Sequence, residues 1–247
     1  MRDIRIFVPD LQACNNDGAI ALPEQAAAHV ARVLRLRVGD ALTVFDGRGG
    51  EYSAEIASIA KREVTLRLGA HSPIERESPL AVTLIQGLAR GEKMDYIIQK
   101  ATELGVARIV PVSTVRSVVQ LDDDRSDRKW QHWRAVAAAA CEQCGRNRLP
   151  EILEPCSLDQ LWRSNLLPSL RLLLSPQAQS GIAGALIPKP ADVAVLIGPE
   201  GGLDPNEEMR AYASGFRPVT LGPRVLRTET AGLAVLAAVQ SLAGDLQ

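Results

Sequence analysis

Three segments of the chain place glycine, proline or hydroxyl residues directly after an apolar run, and they begin at Ser175, Gly198 and Gly222. The middle segment, Gly198-Pro-Glu-Gly-Gly202, has three glycines within five residues. Glycines let a backbone approach a ligand closely and adopt conformations that other residues avoid. This segment therefore either contacts a bound molecule through its backbone or makes an ordinary turn between a strand and a helix.

The residues after Gly202 indicate which ligand such a loop would bind. A helix is predicted to start at Asp204-Pro-Asn-Glu-Glu208, with Asp204 as its cap and Glu207 completing a capping box. Carboxylates thus occupy the positive end of the helix, where a phosphate would meet like charge. The loop also lacks the G-x-G-x-x-G and Walker A patterns. A nucleoside without phosphates, such as the cationic S-adenosylmethionine (SAM), fits this loop better.

The third segment carries residue types that are common in active sites. Arg227-Thr-Glu-Thr-Ala231 brings a guanidinium group, two hydroxyls and a carboxylate between a predicted strand and a predicted helix. Thr228 can cap this helix, and Glu229 can complement its dipole. Arg227 has no such explanation, because a cation at a helix N-terminus is unfavourable. We therefore expect Arg227 to face a substrate or another chain.

Residues 1–72 are predicted to form a small β-barrel with one helix, because short β-branched or alternating runs are separated by turn residues. Residues 73–79 are polar and contain two prolines, which is typical of a linker. The strands predicted in the first region are Ile4–Val8, Ala41–Phe45, Tyr52–Ile59 and Val64–Leu68, and the helix is His29–Leu36.

Residues 80–247 alternate between apolar strand-like runs and amphipathic helices. This order predicts an α/β domain with a largely parallel sheet, whose ligands bind beyond the carboxyl ends of the strands. All three segments described above follow such strands. The predicted strands are Leu80–Gln86, Arg108–Val112, Leu170–Leu174, Val193–Ile197 and Arg217–Leu221, and the main helices are Lys93–Leu104, Ser126–Cys144 and Thr228–Leu242.

Composition narrows the class of protein. The chain of 247 residues is 46% hydrophobic and 23% charged, with a formal net charge of −1, so nucleic-acid binding would depend on local clusters of cations. The sequence contains no run of about 18 or more apolar residues, so no transmembrane helix is predicted. The start, Met1-Arg-Asp-Ile-Arg5, lacks the apolar stretch of a signal peptide. We expect a cytoplasmic protein that does not bind membranes.

The cysteines do not predict a metal or redox site. Cys141 and Cys144 have the C-x2-C spacing, but Cys14 and Cys156 do not supply the second pair that a zinc site needs. The pair also lies in an alanine-rich helical stretch instead of following a strand, as a thioredoxin-like motif would. Packing within a helix is the favoured interpretation, and no metal is expected.

Four long motifs together resemble the RsmE family, which methylates N3 of a uridine in small-subunit ribosomal RNA. They are Gln86–Val106, Glu142–Pro150, Ile197–Gly202 and Leu221–Ala231. His29–Asp40 is similar to the matching part of the family's N-terminal PUA-like barrel. Each motif alone is weak, but their combination is specific and covers nearly the whole chain.

The resemblance implies a fold, a cofactor and a substrate. The α/β domain would be of the SPOUT type with a trefoil knot, preceded by a PUA-like β-barrel. The enzyme would use SAM to methylate 16S ribosomal RNA, with the assembled small subunit as its substrate. The cofactor would lie among residues of the three loops, namely Leu174, Ser175, Ile197, Gly198, Pro199, Glu200, Gly201, Gly202, Leu221, Gly222, Leu226 and Thr230.

The catalytic candidates are Arg227 and Glu229. Arg227 would stabilise negative charge that spreads onto the uracil carbonyls. Glu229 would act as the base or would hold Arg227, and the second role is favoured because a carboxylate beside an arginine stays acidic. No metal is required.

RNA affinity should come from arginine and lysine contacts to phosphates. Arg32 and Arg35 are three residues apart and are predicted to share one helical face. A solvated surface charge is the alternative interpretation for every candidate. The further candidates are Lys93, Lys100, Arg116, Arg146 and Arg148.

The apolar pattern of the last predicted helix indicates a homodimer. Ala231–Val239 is apolar on every side, and one face of a sheet covers only one side of a helix. Burial within a single chain is the alternative.

Three other functions compete with the RsmE-type activity. They are a non-catalytic RNA-binding protein, a SPOUT methyltransferase with another RNA target, and an α/β oxidoreductase or nucleotide-binding enzyme. The absent G-x-G-x-x-G pattern and the acidic start of the helix at Asp204 argue against the third.

Overall fold

The computed structural model describes residues 4–11, 18–61, 63–117 and 123–246. Its contacts divide the chain into two units, one of Met1–Glu77 with Ala138–Leu149 and one of Ser78–Ala137 with Pro150–Gln247. The break between residues 77 and 78 lies in the polar stretch at 73–79. The sequence patterns gave no sign that residues 138–149 belong with the first unit. Cys14 lies outside the described residues.

A five-stranded sheet forms the first unit. Its strands are β1 (Arg5–Phe7), β2 (Ala19–Ala21), β3 (Ala41–Phe45), β4 (Glu51–Ile59) and β5 (Val64–Ser72). They pair in the order β1-β3-β4-β5-β2, with β1 parallel to β3 and the other pairs antiparallel. Four of these strands were predicted from the sequence. Strand β2 was missed, because three residues are too few for an alternating pattern to be recognised.

The helix of the first unit differs from the prediction. Helix α1 (Glu24–Ala28) continues into a π-helical turn, His29–Val33, and the chain then leaves the helix. Arg35 has a φ angle of +55°, in the left-handed region, so it cannot continue a right-handed helix. Arg32 and Arg35 therefore do not share a helical face, as the sequence had predicted, although both side chains are exposed.

The segment that follows helix α3 (Asp123–Cys144) is attached to the first unit by buried polar side chains. Arg5 donates to Glu51 at 2.6 Å and to Asn147, and its guanidinium carbon lies 5.0 Å from the centre of the Phe45 ring. Asn147 also donates to the carbonyl of Ile74 at 2.6 Å. These bonds satisfy polar groups that would be costly to bury alone.

Arg146 belongs to the same buried set. Its side chain forms an ion pair with Glu77, and the residue is only 4% exposed. A phosphate cannot reach a guanidinium group that is buried and already paired. The predicted RNA contact of Arg146 is therefore corrected to a structural role.

The second unit contains a seven-stranded sheet with helices on both faces. The strands are β6 (Ala81–Gly87), β7 (Arg108–Ser113), β8 (Glu151–Ile152), β9 (Cys156–Ser157), β10 (Arg171–Leu174), β11 (Asp192–Ile197) and β12 (Arg217–Val219). The helices besides α3 are α2 (Lys93–Glu103), α4 (Leu158–Trp162), α5 (Ile182–Ala185), α6 (Pro205–Ala213) and α7 (Thr228–Ala243).

The sheet runs in the order β12-β10-β11-β6-β7-β8, with β9 also beside β7, and every pair is parallel. Adjacent residues of a strand enter opposite cores, as Leu84 and Ile85 do. Helices α2 and α7 cover one face, and α4 and α6 cover the other. The predicted parallel α/β sheet is confirmed. None of the helices in the described ranges combines the length and the apolar character needed to cross a membrane.

The end of β6 passes very close to the loop that follows β11. A Cβ atom on Gly87 would lie 2.5 Å from the backbone nitrogen of Pro199 and 2.9 Å from the carbonyl carbon of Gly198. Both obstacles are backbone atoms, which cannot rotate away as a side chain can. Glycine at position 87 is thus required for the approach of the two parallel strand ends.

We predict that Gly87→Ala lowers the free energy of unfolding by about 1–3 kcal/mol, because the added methyl group overpacks this contact. Urea denaturation of the purified variant measures the change. Gly184→Ala in α5 is the matched control, since its Cβ would have no neighbour within 4 Å, and it should be neutral or slightly stabilising. Equal unfolding free energies for Gly87→Ala and the unchanged protein would contradict the prediction.

Candidate active site

The carboxyl ends of β10, β11 and β12 open onto a cleft of about 690 Å³. This is the edge at which parallel sheets bind their ligands, and the volume suits a molecule of nucleoside size. The three loops singled out by sequence meet here. Most of the predicted cofactor residues line the cleft, namely Leu174, Ser175, Ile197, Gly198, Pro199, Glu200, Gly201, Gly202, Leu221 and Leu226.

Two predicted cofactor residues are not among those that line the cleft. Thr230 is exposed on α7, whereas Thr228 and Ala231 of the same helix face the cleft. Gly222 lies in the loop after β12, and its N–H donates to the hydroxyl of Thr220 at 3.2 Å. Strand β12 ends at Val219, earlier than predicted, because this local turn replaces the strand pairing.

The loop after β11 is fixed by the predicted capping box. Asp204 accepts a hydrogen bond from the N–H of Asn206 at 3.0 Å, and Glu207 accepts one from the N–H of Asp204 at 2.9 Å. Gly202 has a φ angle of +70°, which favours glycine. The turn before α6 is therefore stiff, and its positive end is occupied by carboxylates as the sequence predicted.

A chain of buried hydrogen bonds connects three elements behind the cleft. The Gln86 side chain at the end of β6 donates to the hydroxyl of Thr228 at 2.9 Å, and that hydroxyl donates to the carbonyl of Gly198 at 2.6 Å. Gln86 is fully buried. Thr228 was predicted as the cap of α7, but Arg227 holds the cap position and Thr228 is the first helical residue.

Sequence reasoning did not select Gln86 as a functional residue. The available signal was a polar side chain at the carboxyl end of an otherwise apolar strand. A buried amide needs partners, and its most accessible partners are those at the ligand-binding edge of the sheet.

Lys93 bridges two carboxylates at the cleft. Its ammonium nitrogen lies 3.0 Å from an oxygen of Glu200 and 3.2 Å from an oxygen of Glu229. The pKa of Lys93 is raised by the hydrogen bond to Glu200, against a smaller effect of desolvation, and Glu229 adds to the increase. Burial alone would raise the pKa of Glu200, but hydrogen bonds from its own N–H, from the N–H of Arg90 and from Lys93 lower it.

This bridge corrects two predictions. Glu229 forms its ion pair with Lys93, and within the described part of the chain it does not hold Arg227. Lys93 is also not a free surface cation that is available to a phosphate. The reason is geometric, because Lys93 begins α2 beside the cleft and both carboxylates converge on it.

Arg227 lies at the mouth of the cleft. Its backbone is extended at φ −65° and ψ 153°, its side chain is exposed, and it makes no capping hydrogen bond. Among the described residues it has no ion-pair partner, unlike most of the predicted RNA-binding cations. Arg116 donates to the carbonyl of Gly201 at 3.1 Å and lines the same cleft.

Two further predicted RNA-binding cations, Lys100 and Arg148, are not among the residues that line the cleft and form ion pairs of their own. Lys100 is paired with Glu103 at 2.8 Å, and Arg148 is paired with Glu75 at 3.1 Å. Both pairs are partly exposed, and such pairs contribute little to stability.

Two family descriptions match the sequence. An RNA methyltransferase domain matches residues 76–240, and an RNA methyltransferase PUA domain matches residues 22–69. The chain is also similar to ribosomal RNA small subunit methyltransferase E of Bacillus subtilis, at 34% identity over 218 residues that cover 85% of each protein. The same enzyme of Buchnera aphidicola subsp. Schizaphis graminum is 34% identical over 242 residues, which cover 98% of this chain and 97% of the relative.

Solved structures give the same result. A methyltransferase from Legionella pneumophila in complex with SAM has a TM-score of 0.94 and 40% identity, and covers 100% of both chains. Ribosomal RNA small subunit methyltransferase E from Neisseria gonorrhoeae, bound to SAM, has a TM-score of 0.89 and 33% identity, again over 100% of both chains. With two domain matches and this identity over almost its whole length, the chain belongs to the ribosomal RNA small subunit methyltransferase E (RsmE) family.

Proposed function

We propose that this protein transfers a methyl group from SAM to N3 of a uridine in small-subunit ribosomal RNA, acting on the assembled subunit. The observation that carries the proposal is the cleft built by the three predicted loops at the carboxyl edge of the sheet, in a chain whose relatives were solved with SAM. Membership in the RsmE family supports small-subunit ribosomal RNA as the substrate, since the relatives are named as methyltransferases of that RNA.

The residues of the cleft fit SAM. Apolar side chains of Leu174, Ile197 and Leu226 supply walls for a flat base. Gly198 lets the loop fold tightly, since a Cβ there would lie 3.1 Å from the nitrogen of Leu203 and 3.2 Å from the carbonyl carbon of Gly202. A tight loop presents backbone donors and acceptors to the base, and Glu200 adds negative charge near a cationic ligand. The proposed cofactor set comprises the lining residues named above, without Gly222 and Thr230.

The chain's own residues position the substrate and stabilise charge. Bound SAM supplies an electrophilic methyl group on a cationic sulfonium. Uridine N3 must lose its proton, to water or to a general base, and the negative charge then spreads onto the two flanking carbonyl oxygens. The N3–methyl bond would form as the methyl–sulfur bond breaks. Arg227 is proposed to bind these oxygens. Its side chain is exposed at the cleft, and no carboxylate among the described residues pairs with it. Glu229 is engaged with Lys93, so it is better suited to anchor the first turn of α7 than to act as the base.

We further propose that the first unit is a PUA-like barrel that supplies RNA affinity. The PUA domain match at residues 22–69 and the exposed guanidinium groups of Arg32 and Arg35 support this assignment. For the second unit we propose a SPOUT-type α/β domain with a trefoil knot, which the resemblance to the RsmE family implies. A crystal structure traced through residues 192–246 would test the knot.

The two faces of α7 differ in burial, and this difference supports a proposed homodimer. Val235, Leu236 and Val239 are fully buried against the sheet. Ala234 and Ala237 on the other side are only half-buried, and such small residues let a second copy approach closely. The face left partly open by the chain itself is therefore the one proposed to meet the partner.

We predict that the protein with SAM forms 3-methyluridine in small subunits that lack this modification, as measured by nucleoside analysis.

Arg227→Ala should lower kcat by about 100-fold, because one donor to the developing anion is lost. Its melting temperature and its affinity for SAM should not change. Arg163→Ala removes another exposed arginine and serves as the control. Methylation at another atom would indicate a different RNA target, and near-normal turnover of Arg227→Ala would exclude Arg227 from the chemistry.

We predict that the double variant Arg32→Ala and Arg35→Ala weakens binding to the small subunit and reduces the slope of log affinity against log salt by about 2, because two phosphate contacts are lost. Filter binding at several salt concentrations measures the slope. Affinity for SAM should stay the same. Arg67→Ala, an exposed arginine on β5 that is 3.9 Å from Glu55, is the control. An unchanged slope in the double variant would contradict the assignment.

We predict that Ala234→Glu splits the dimer, because a charge would be buried where two helices meet. Light scattering at micromolar concentration should give twice the 26.6 kDa of one chain for the unchanged protein and a single chain mass for the variant. Ser58→Glu adds the same charge on the exposed side of β4 and should remain dimeric. A monomer mass for the unchanged protein would refute the dimer.

A further inference from the structure

We propose that Lys93 is a positioning residue that joins the loop after β11 to the start of α7, and that it acts on cofactor binding instead of contacting RNA. The inference rests on the proposed SAM-dependent function and adds a residue to its machinery. Lys93, Glu200 and Glu229 come from three separate parts of the second unit, the start of α2, the cofactor loop and the first turn of α7. The ammonium group of Lys93 thus connects the loop after β11 to the first turn of α7 through two ion pairs.

The burial of the three side chains makes this bridge more than a surface ion pair. The side-chain exposures are 33% for Lys93, 29% for Glu200 and 17% for Glu229. Partly buried charges are screened less by water and salt than exposed ones. The bridge should therefore persist at the salt concentrations at which ribosomal subunits are studied.

The two carboxylates depend on Lys93 to different degrees. Glu200 also accepts a hydrogen bond from the N–H of Arg90 at 3.1 Å. The Glu229 oxygen that faces Lys93 has no hydrogen-bond partner among the described residues, and the ion pair at 3.2 Å is its compensation. Removal of the ammonium would leave Glu229 partly buried, without compensation and beside a second carboxylate. The first turn of α7 is the element expected to move.

Arg227, the residue proposed to bind the uracil oxygens, directly precedes the first turn of α7. Arg227 lies two residues before Glu229, and Thr228 between them holds Gly198 through its hydroxyl. A displaced Glu229 would disturb both the wall of the cleft and the position of the Arg227 guanidinium. Lys93 therefore acts on the chemistry through other residues and without touching the substrate.

Charge argues against the alternative of a phosphate contact. One ammonium and two carboxylates carry a net charge of −1, so the group as a whole repels a phosphate. A cationic ligand such as SAM would meet no such repulsion from these three side chains. Lys93 also donates a hydrogen bond to Glu200 and forms an ion pair with Glu229, so its charge is already directed at two carboxylates.

The test compares Lys93→Met, Lys93→Arg and the double variant Lys93→Met with Glu229→Gln. Calorimetry with SAM should show affinity about tenfold weaker for Lys93→Met, a size typical of residues in one ion-pair network. Lys93→Arg should restore most of it, and the double variant should recover part of it, because the uncompensated charge is gone. Lys189→Met, an exposed lysine away from the cleft, is the control and should bind SAM normally.

Two further measurements separate the possible results. Hydrogen exchange without SAM should be faster in the first turns of α7 for Lys93→Met, and binding to the small subunit should keep its salt slope. Unchanged exchange, or SAM affinity within twofold of the unchanged protein, would overturn the positioning role. A reduced salt slope with normal SAM affinity would overturn it in favour of a phosphate contact. If the unchanged protein fails to bind SAM, the proposed function fails, while hydrogen exchange still decides whether the bridge holds α7.

Discussion

The hydrogen bonds from Gln86 to Thr228 and from Thr228 to Gly198 are the interaction on which the cleft depends. They join the end of a central strand, the first residue of α7 and the first residue of the loop after β11. Because Gln86 is fully buried, these bonds form where water cannot compete, and each lost partner would leave a polar group unsatisfied at a cost of about 1–3 kcal/mol. The protein's own hydrogen bonds thus hold together the elements that form the cleft.

Such a connection is possible only where backbones approach closely, and glycines make that approach possible at two positions. Gly87 admits the backbone of Gly198 and Pro199 beside β6, and a Cβ on Gly232 would lie 3.0 Å from the side-chain oxygen of Gln86. Larger residues would push α7 and the loop after β11 away from the sheet and break the chain of bonds. Glycines outside this loop therefore contribute to the cleft as well as those within it.

The sequence predicted the regular parts of this structure and the loops that meet, because both follow from local patterns. Apolar runs that alternate with amphipathic helices predicted the parallel sheet, and the capping box predicted at Asp204 is present in the turn before α6. What the sequence missed depends on distant partners. Neither the burial of Arg146 against Glu77 nor the bridge from Lys93 to Glu229 leaves a periodic signal. Arg35 was misplaced because nothing local showed that its backbone is left-handed.

The wrong predictions for Lys93 and Arg146 have the same physical cause. A sequence shows that a cation is present, but its role depends on whether an anion neutralises it. Lys93 and Arg146 have partners that shield them from phosphate, whereas Arg227 is exposed at the cleft with no ion-pair partner among the described residues. Holding a guanidinium there is electrostatically unfavourable, since it lies at the positive end of α7. In the proposed reaction, the deprotonated uridine would be attracted by both the Arg227 guanidinium and the positive end of α7, and its negative charge would offset this cost.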